Sequence, residues 1–558
     1  MDLETKNGNS GNFLHFLIYK YGIILFFLVY AIIGIFIYSD YGCGPDEGIE
    51  RQTSLVNFRY TIEKFNIPVS KKITTWLAYL PELKEYRDRY YGTAVHFPLV
   101  LIESFTNFTM TSEEFYGMRH FYTFLNYFLS MICFYLLIKS RFKNKILAFY
   151  GLLMMILSPR FFAESFYNNK DILFLSWYIF AIFFIVQWIQ DKENLQKAIL
   201  AGIILAFTCN TRFNGIALIP LAVTAYSAEC IRTKKSLKKA FLPPVIFLTA
   251  SIITFYIITP NFWDQPIKTL IETFQFNQHH PNHGSDGNLF FGQLIDTTKV
   301  WFYLPVWITL TVPTIYLLFS GIGNLVALWT FCKNKFLFYQ KQEEIIDVFL
   351  LFSWLLPAII IIGTKVIIYN GWRHFYFSYA PLVYLSILGI NFITQSFTQS
   401  TGKFSRIIRI FVSCLLIITF SYNGLWIFAN HPYEFDYFSP ITRHLNTRFS
   451  GDYWGIGCRD MLRWITEHDP REQITIDHSN TESGSINRGL LPESDQARID
   501  MIYDSKQADY ILFSRDDKPP ANANEFPGFT KVFTIIVDGD EIDSVFERSS
   551  LIQTSSKK

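Results

Sequence analysis

Two adjacent carboxylates, Asp46 and Glu47, lie a few residues after the first long apolar run of the sequence, in the stretch Gly44-Pro45-Asp46-Glu47. A carboxylate at a membrane surface can act as a general base, so the pair is a candidate for removing a proton from a hydroxyl group. The pair also suits the start of a helix, because proline fits the first turn and acidic side chains stabilise the positive end of the helix dipole. Position alone leaves the two interpretations evenly matched.

A second polar segment, residues 158–171, separates two later apolar runs and reads SPRFFAESFYNNKD. It concentrates four charged side chains at one membrane boundary: Arg160, Glu164, Lys170 and Asp171. Basic residues at the ends of spans commonly anchor a helix at the interface, and for Arg160 and Lys170 taken alone this interpretation is favoured. Glu164 and Asp171 are candidates for supporting a neighbouring site.

Three cations are expected at this same outer boundary. Lys170 ends the polar segment, and Arg212 lies between two apolar runs. Arg373 and its neighbour His374 precede a further run. Each side chain alone could simply snorkel to the interface. Together they would lie where the phosphate of a lipid carrier sits, and guanidinium groups bind phosphate oxygens bidentately. We therefore predict that these four residues bind a lipid-linked phosphate.

The possible metal ligands are less convincing. One histidine-rich stretch contains four of them: His279, His280, His283 and Asp286. Glycine and proline interrupt this stretch, which favours a flexible polar loop over a metal site. The seven cysteines include no CxxC pair. Cys43 and Cys458 fall on the expected outer side of the membrane, where a disulfide could form.

The composition requires a membrane, since half of the 558 residues are hydrophobic and only 17% are charged. Apolar runs of spanning length recur up to about residue 429, and we predict about eleven transmembrane helices. Their approximate ranges are 16–38, 118–138, 146–159, 172–190, 198–210, 214–231, 241–259, 302–328, 346–363, 374–395 and 410–428. The sequence thus predicts an all-α polytopic membrane domain over residues 1–429, with a long first outer loop over residues 39–117.

Lysine and arginine indicate the orientation, because cytoplasmic loops hold an excess of positive charge. Basic loops follow the even-numbered spans, near residues 139–145, 232–239, 333–341 and 403–409. The N-terminus is therefore predicted inside, and an odd number of spans places the C-terminal end outside. From His431 onward, 14 Lys+Arg stand against 22 Asp+Glu, so this part carries a formal charge of −8 whereas the whole chain carries +2. This balance gives no support to a nucleic-acid partner.

Residues 430–558 are predicted to form a small soluble α/β domain outside the membrane. Its expected elements are a helix over residues 460–468, strands over 473–477 and 510–514, and a hairpin over 532–546. In the first outer loop, apolar residues at near-helical spacing between residues 49 and 65 predict an amphipathic helix on the membrane surface.

The order of several stretches resembles the C-type (GT-C) membrane glycosyltransferases. These stretches are the acidic pair after the first span, SPRFFAESFYNNKDILF, GWRHFYFSYAPLVYL, and HPYEFDYFSP followed by DYWG. Within that group, the chain is similar to the protein O-mannosyltransferases and aminoarabinose transferases over about residues 16–455. The resemblance implies a GT-C-like fold, a sugar donor attached to polyprenyl phosphate, a site at the outer face, and an acidic base in the first outer loop. Carried over by position, Asp46 takes the role of base, with Glu47 as its neighbour.

The residues and the resemblance together predict an inverting glycosyltransferase of a bacterial inner membrane, in which Asp46 deprotonates an acceptor hydroxyl while polyprenyl phosphate leaves. The acceptor, a lipid, a glycan or a protein, is left open, and no metal or other cofactor is predicted. A transporter or flippase of lipid-linked sugars is the main alternative. It would need polar groups along the midplane, whereas the charges of this chain concentrate at the outer ends of its spans. A membrane anchor for the outer domain would not need so many spans.

Overall fold

The long apolar runs of the sequence form helices in the computed structural model, which describes residues 8–278, 287–396 and 402–555. A helix satisfies every backbone group internally, so an apolar run in this conformation can be buried in lipid or in protein. The helices before residue 279 are α1 (Gly8–Ile37), α2 (Pro45–Phe65), α3 (Lys71–Leu77), α4 (Phe97–Phe105), α5 (Ser112–Phe142), α6 (Lys145–Ile156), α7 (Pro159–Tyr167), α8 (Asp171–Gln190), α9 (Leu195–Thr211), α10 (Leu218–Arg232), α11 (Leu237–Ile258) and α12 (Pro266–Gln278). A short antiparallel hairpin follows, formed by β1 (Asn288–Phe290) and β2 (Gln293–Ile295). The next helices are α13 (Tyr303–Thr311), α14 (Thr314–Lys333), α15 (Gln342–Thr364), α16 (Tyr379–Ser396) and α17 (Gly402–Asn430).

Eight stretches of the described residues are long and apolar enough to cross a membrane, and a ninth results if the bent pair α6 and α7 is one span. Every predicted span contains a helix, but the apolar part of α1, Tyr21–Ile37, and the whole of α9 are shorter than these eight. The predicted span 302–328 is divided between α13 and α14 at Pro313, which cannot donate a backbone hydrogen bond. The all-α polytopic fold is confirmed, and the count of eleven stays a prediction.

The polar segment 158–171 is largely a buried helix rather than a surface loop. Pro159 occupies the first position of α7, where its missing N–H is not needed. All nine residues of α7 are buried, and its axis turns by 66° from that of α6. Arg160 is only 3% exposed, so the interpretation of this residue as an interfacial anchor is wrong.

A helix in the first outer loop is confirmed as α2, but several of its polar side chains are buried. The polar residues buried along it are Glu47, Glu50, Thr53, Ser54 and Asn57. By contrast, Ile49 and Phe65 are exposed. The position of this helix at the membrane surface stays a prediction. Of its buried polar side chains, Glu50 pairs with Lys170 in the interior.

The C-terminal part contains a five-stranded sheet with the order β4-β3-β5-β7-β6. Its elements are α18 (Cys458–His468), β3 (Ile474–Asn480), α19 (Gly484–Arg488), α20 (Glu493–Arg498), β4 (Ile499–Ile502), β5 (Tyr510–Ser514), β6 (Phe529–Val537), β7 (Asp540–Arg548) and α21 (Ser549–Ser555). β3 is parallel to β4 and β5, whereas β7 is antiparallel to β5 and β6. The predicted helix, strands and hairpin are confirmed. The short edge strand β4 was not predicted.

The C-terminal part forms hydrogen bonds with the backbone just before α2. The side chain of Asn487 on α19 accepts a hydrogen bond from the backbone N–H of Cys43 at 2.9 Å and donates one to its carbonyl oxygen at 2.9 Å. At Gly44, an added Cβ would lie 2.8 Å from the ring of Trp454. A side chain does not fit at this close approach, which explains the glycine. These contacts of the C-terminal part fix the position of the beginning of α2.

Candidate active site

The carboxylates of Asp46 and Glu47 point in different directions, because both residues belong to the helix α2. α2 begins at Pro45, and neighbouring residues on a helix point about 100° apart, whereas residues four apart share a face. Asp46 therefore shares a face with Glu50, not with Glu47. The Oε1 atom of Glu47 accepts a hydrogen bond from the backbone N–H of Gly44 at 3.1 Å. Of the two carboxylates, Glu47 performs the N-terminal capping that position alone had allowed for both.

Three cation–carboxylate pairs form what we call the charged cluster: Arg373 with Asp46, Lys170 with Glu50, and Arg212 with Asp171. The Arg373 Nη1 atom lies 2.8 Å from Asp46 Oδ2, and the Lys170 Nζ atom lies 2.8 Å from Glu50 Oε1. Arg373 Nη1 also approaches Asp171 Oδ2 to 3.9 Å, which connects two of the pairs. The structure thus brings together the three cations for which the sequence predicts a common depth.

The charged cluster lies at one end of α8. Lys170 precedes this helix, and Asp171 is its first residue. A second group of charges lies at the opposite end, where Glu229 contacts Lys192 at 3.5 Å and Arg232 at 2.7 Å. With 20 residues in α8, the two groups are about 30 Å apart, the thickness of a bilayer core. The charged cluster therefore lies at the end of α8 opposite to the basic loop near residue 232.

The charge balance of the cluster keeps Asp46 ionised. Burial alone would raise the pKa of Asp46, but the positive charges of Arg373 and Lys170 outweigh burial and lower this pKa from 3.8 to about 2. The side chain of Asp46 is still 18% exposed, so a substrate can reach it. The carboxylate is ready to accept a proton, although its basicity is weak while Arg373 remains its partner.

Aromatic rings hold the cations in place. The guanidinium carbon of Arg373 lies 4.7 Å from the ring centroid of Trp454 and 4.9 Å from that of Tyr369, and the Lys170 amine lies 3.8 Å from that of Tyr91. Such cation–π contacts stabilise a positive charge without neutralising it. His374 packs against Tyr369, with ring centroids 4.5 Å apart, so it borders the cluster through a tyrosine ring.

Glu164 and Asp171 are linked by one asparagine. The Nδ2 atom of Asn168 donates to Glu164 at 2.6 Å, and its Oδ1 atom accepts from the backbone N–H of Asp171 at 2.8 Å. Tyr376 donates a further hydrogen bond to Glu164 at 2.7 Å. Because Asp171 binds Arg212, this chain of hydrogen bonds positions the start of α8 and one cation of the cluster. A supporting role for both acidic residues stays a prediction.

A cavity of about 420 Å³ opens beside Asp46 and Arg373. Its walls come from α2, from the segment before α16 and from the C-terminal part: Pro45, Asp46, Ile49, Gly287, Asn288, Tyr369, Asn370, Arg373, Asp452, Tyr453, Trp454, Gly455, Thr481, Glu482, Ser483, Ser514, Asp516 and Asp517. Among these described residues, Arg373 is the only basic side chain. Five carboxylates oppose it, so the cavity is acidic away from the charged cluster.

Glu47 lies on another side of α2, against α5. Its carboxylate is 1% exposed and approaches His120 Nε2 to 3.0 Å. The Sγ atom of Cys43 lies 3.8 Å from the same nitrogen. These three residues are of metal-ligating types. The other metal candidates of the sequence, His279, His280, His283 and Asp286, lie outside the described residues, and Cys43 and Cys458 are free thiols rather than a disulfide.

Residues 102–263 match the family model described as dolichyl-phosphate-mannose-protein mannosyltransferase. The match extends over α5 to α11 and includes Lys170, Asp171 and Arg212 of the charged cluster. The resemblance to membrane glycosyltransferases is confirmed. Asp46 and Arg373 lie outside the matched residues, so their roles depend on the geometry described above.

Three solved structures resemble this chain, each with a TM-score below 0.5. Two structures of ArnT from Cupriavidus metallidurans, one in the apo state and one bound to undecaprenyl phosphate, match with TM-scores of 0.46 and 0.43 at 11% identity, over 95% of this chain and 98% of theirs. An oligosaccharyltransferase from Archaeoglobus fulgidus, solved with Zn and sulfate, matches with a TM-score of 0.40 at 13% identity over 76% of this chain. The present chain spans 59% of the length of that enzyme. No curated protein sequence matches the chain. Likenesses at these TM-scores leave donor and acceptor open.

Sequence reasoning missed three residues of this site. Glu50 pairs with Lys170, Tyr91 lies under the Lys170 amine, and Trp454 lies under Arg373. A signal for Glu50 existed, because it follows Asp46 by four residues on a predicted helix and so shares its face. Tyr91 and Trp454 come from distant parts of the chain, and their spacing gives no indication of the contact.

Proposed function

We propose that this chain is an inverting glycosyltransferase that moves a sugar from a polyprenyl-phosphate donor to an acceptor hydroxyl at the outer face of a bacterial inner membrane, with the N-terminus in the cytoplasm. The observation that carries the proposal is the 2.8 Å contact between Asp46 and Arg373 at the wall of the 420 Å³ cavity. One group can accept a proton and the other can bind a phosphate. Both border a space large enough for the reacting ends of two substrates.

The charged cluster suits a donor whose phosphate arrives from the membrane. Three cations are already held at one membrane boundary by Asp46, Glu50 and Asp171, so little reorganisation is needed when an anion enters. A phosphate that shares Arg373 with Asp46 takes part of its positive charge away from the carboxylate. Donor binding thereby raises the pKa of Asp46 and makes it a stronger base when both substrates are present.

The transfer step needs only these groups. Asp46 takes the proton of the acceptor hydroxyl, whose oxygen forms a bond to the anomeric carbon of the sugar. The bond between that carbon and the phosphate oxygen breaks, and polyprenyl phosphate leaves with the electron pair. Attack from the face opposite to the leaving group inverts the anomeric configuration. Arg373, Lys170 and Arg212 stabilise the charge that develops on the leaving phosphate.

The acidic wall of the cavity favours an acceptor without phosphate or carboxylate groups. Asp452, Glu482, Asp516 and Asp517 surround the space away from Arg373, and the described lining there offers an anion no cation. Burial raises the pKa of Asp452, Asp516 and Asp517, so these carboxyl groups can also donate hydrogen bonds to a neutral acceptor. A neutral or cationic hydroxylated acceptor, such as a glycan, fits this lining best.

Incubation of the purified protein with labelled polyprenyl-phosphate sugars and an envelope extract tests the proposal. We expect labelled acceptor and free polyprenyl phosphate to appear in equal amounts, and neither to form with the Asp46→Asn variant. Transport of the intact donor across proteoliposomes without release of polyprenyl phosphate would instead establish the flippase alternative. Equal product formation by wild type and Asp46→Asn would overturn the assignment of the base.

A further inference from the structure

We propose that Cys43, Glu47 and His120 form a zinc site at the beginning of α2, separate from the charged cluster. The side chains of all three residues are buried, and one possible ligand atom from each lies within 4.8 Å of the others. Thiolate, imidazole and carboxylate are the ligand types that zinc takes in proteins. The site explains why Glu47 points away from Asp46 and its cations.

The distances between the ligand atoms fit a tetrahedral ion. With zinc–nitrogen and zinc–oxygen bonds near 2.0 Å and zinc–sulfur bonds near 2.3 Å, neighbouring ligand atoms lie about 3.3 to 3.6 Å apart. In the structure, His120 Nε2 lies 3.0 Å from Glu47 Oε2 and 3.8 Å from Cys43 Sγ. These two distances are within a few tenths of an ångström of the tetrahedral values, and the third pair, Cys43 and Glu47, lies within 4.8 Å.

The hydrogen bond of the other ring nitrogen points to the same conclusion. His120 Nδ1 lies 3.2 Å from the carbonyl oxygen of Tyr38, which can only accept, so Nδ1 carries the proton. In a neutral ring, Nε2 then directs a lone pair at the carboxylate of Glu47. The buried Oε2 atom of Glu47 lies 3.0 Å from this nitrogen and accepts no hydrogen bond from any other group of the described residues. A cation between Nε2 and Oε2 removes both conflicts, and a histidine held by a backbone carbonyl is typical of metal sites.

Zinc at this position connects elements that the active site needs. Cys43 and Glu47 flank the first turn of α2, His120 belongs to α5, and Asn487 grips the backbone of Cys43. The ion therefore fixes the turn from which Asp46 projects. It does not touch the cavity, so its role is to hold the base in position rather than to take part in sugar transfer.

Metal analysis of the full-length protein, purified through a tag without histidines, tests the site. We expect about one zinc per chain in the wild type after exposure to Zn²⁺ and removal of free ions. Cys43→Ala and His120→Asn should each lose most of it. Cys458→Ser is the matched control, since Cys458 is also a buried free thiol near the cavity, and it should retain zinc.

Cobalt substitution gives a second readout that does not depend on folded variants. Co²⁺ bound to the wild type should show the charge-transfer absorption of a thiolate ligand, and Cys43→Ala should lack it. Wild type that holds no more metal than Cys43→Ala, or lacks the cobalt band, would overturn the proposal and leave a protonated His120 paired with Glu47. Loss of metal from Cys458→Ser as well would place the ion elsewhere. Sugar transfer by a metal-free wild type would leave the proposed function intact.

Discussion

Asp46 and Glu47 are adjacent in the chain, but their carboxylates contact different side chains on different sides of α2. Asp46 Oδ2 contacts Arg373 Nη1 at 2.8 Å, beside the cavity, whereas Glu47 Oε2 contacts His120 Nε2 at 3.0 Å, in the interior. Glu47 is nearly inaccessible at 1% exposure. An acceptor can approach the first carboxylate and not the second. Substitutions of the two residues should therefore affect different measurements: sugar transfer for Asp46 and zinc content for Glu47.

Replacement of Asp46 by asparagine should reduce sugar transfer by at least roughly a hundredfold, because the amide cannot accept the hydroxyl proton. Insertion, thermal stability and zinc content should remain near wild type, since Asp46 neither caps α2 nor binds His120. Initial rates with labelled donor measure the loss. Glu63→Gln is the control, as Glu63 is exposed on the same helix. A variant that transfers sugar at the wild-type rate would remove Asp46 from the mechanism.

Replacement of Arg373 by glutamine should raise the KM for the donor by roughly tenfold to a hundredfold, from the loss of a charged hydrogen bond of about 1.5–3 kcal/mol. The same variant should shift the acid limb of the kcat/KM profile. Arg373 lowers the pKa of Asp46, so its removal raises that pKa. Activity is then lost at a higher pH than in the wild type. Arg463→Gln, with an exposed guanidinium, should change neither quantity, and an unchanged profile in Arg373→Gln would separate Arg373 from the base.

Replacement of Asn487 by alanine should reduce kcat by about tenfold or more, because two buried backbone groups of Cys43 lose their partner at about 1–3 kcal/mol each. The first turn of α2 then loses its fixed position. Limited proteolysis between α1 and α2 should accelerate in parallel. Asn524→Ala, at an exposed position, serves as the control. Full activity in Asn487→Ala would show that the C-terminal part does not position the base.

Stability should fall as the pH rises toward 9, because of His431. Burial lowers the pKa of His431, but Glu434 at 2.7 Å and Asp40 at 3.0 Å outweigh burial and raise it to about 9. A histidine pKa raised above its unfolded value stabilises the folded state fully below about pH 6.5, and this contribution is lost as the pH passes 9. Melting temperatures measured across this range should decline less in His431→Gln than in wild type. His468→Gln, at an exposed position, should follow the wild-type curve.

The orientation can be tested with single cysteines. Lys235→Cys should react with an impermeant maleimide only after the membrane is opened, because the basic loops are expected in the cytoplasm. Asn524→Cys, in the C-terminal part, should react in intact cells. Exposed native Cys332 and Cys414 are replaced by serine in both. The reverse labelling pattern would place the charged cluster on the cytoplasmic side and contradict the proposed outer-face site.

Local patterns in the sequence predicted the helices and strands better than the contacts between distant side chains. Apolar runs predicted the helices of the membrane part, and alternation with turn residues predicted β5 and the hairpin of β6 and β7. Both follow from interactions within a few residues. The contact between Glu50 and Lys170 joins positions 120 residues apart, and no local pattern encodes it. The depth argument for Lys170, Arg212 and Arg373 worked because a membrane places span ends at common levels.

The burial of α7 could not be predicted for a related reason. Its charges suggested a surface loop, because an isolated charge is costly to bury. Arg160 is instead stabilised by the negative charge of Glu164. Glu164 accepts hydrogen bonds from Tyr376 and Tyr453. These partners come from two later regions of the chain. A polar segment between apolar runs is therefore consistent with either a solvated loop or a buried site, and only the partners decide.

The hydrogen bonds between Asn487 and Cys43 can form only late in biosynthesis, because Asn487 is near the C-terminal end of the sequence. The cavity residue Pro45 is synthesised early, whereas the cavity residue Asp517 is synthesised close to the end of translation. A nascent chain that already has all of its membrane helices still lacks the residue that fixes the turn before Asp46. A product truncated after α17 would keep the cations proposed to bind the donor phosphate but would lack this contact and the C-terminal wall of the cavity. We therefore expect it to bind the donor without transferring the sugar.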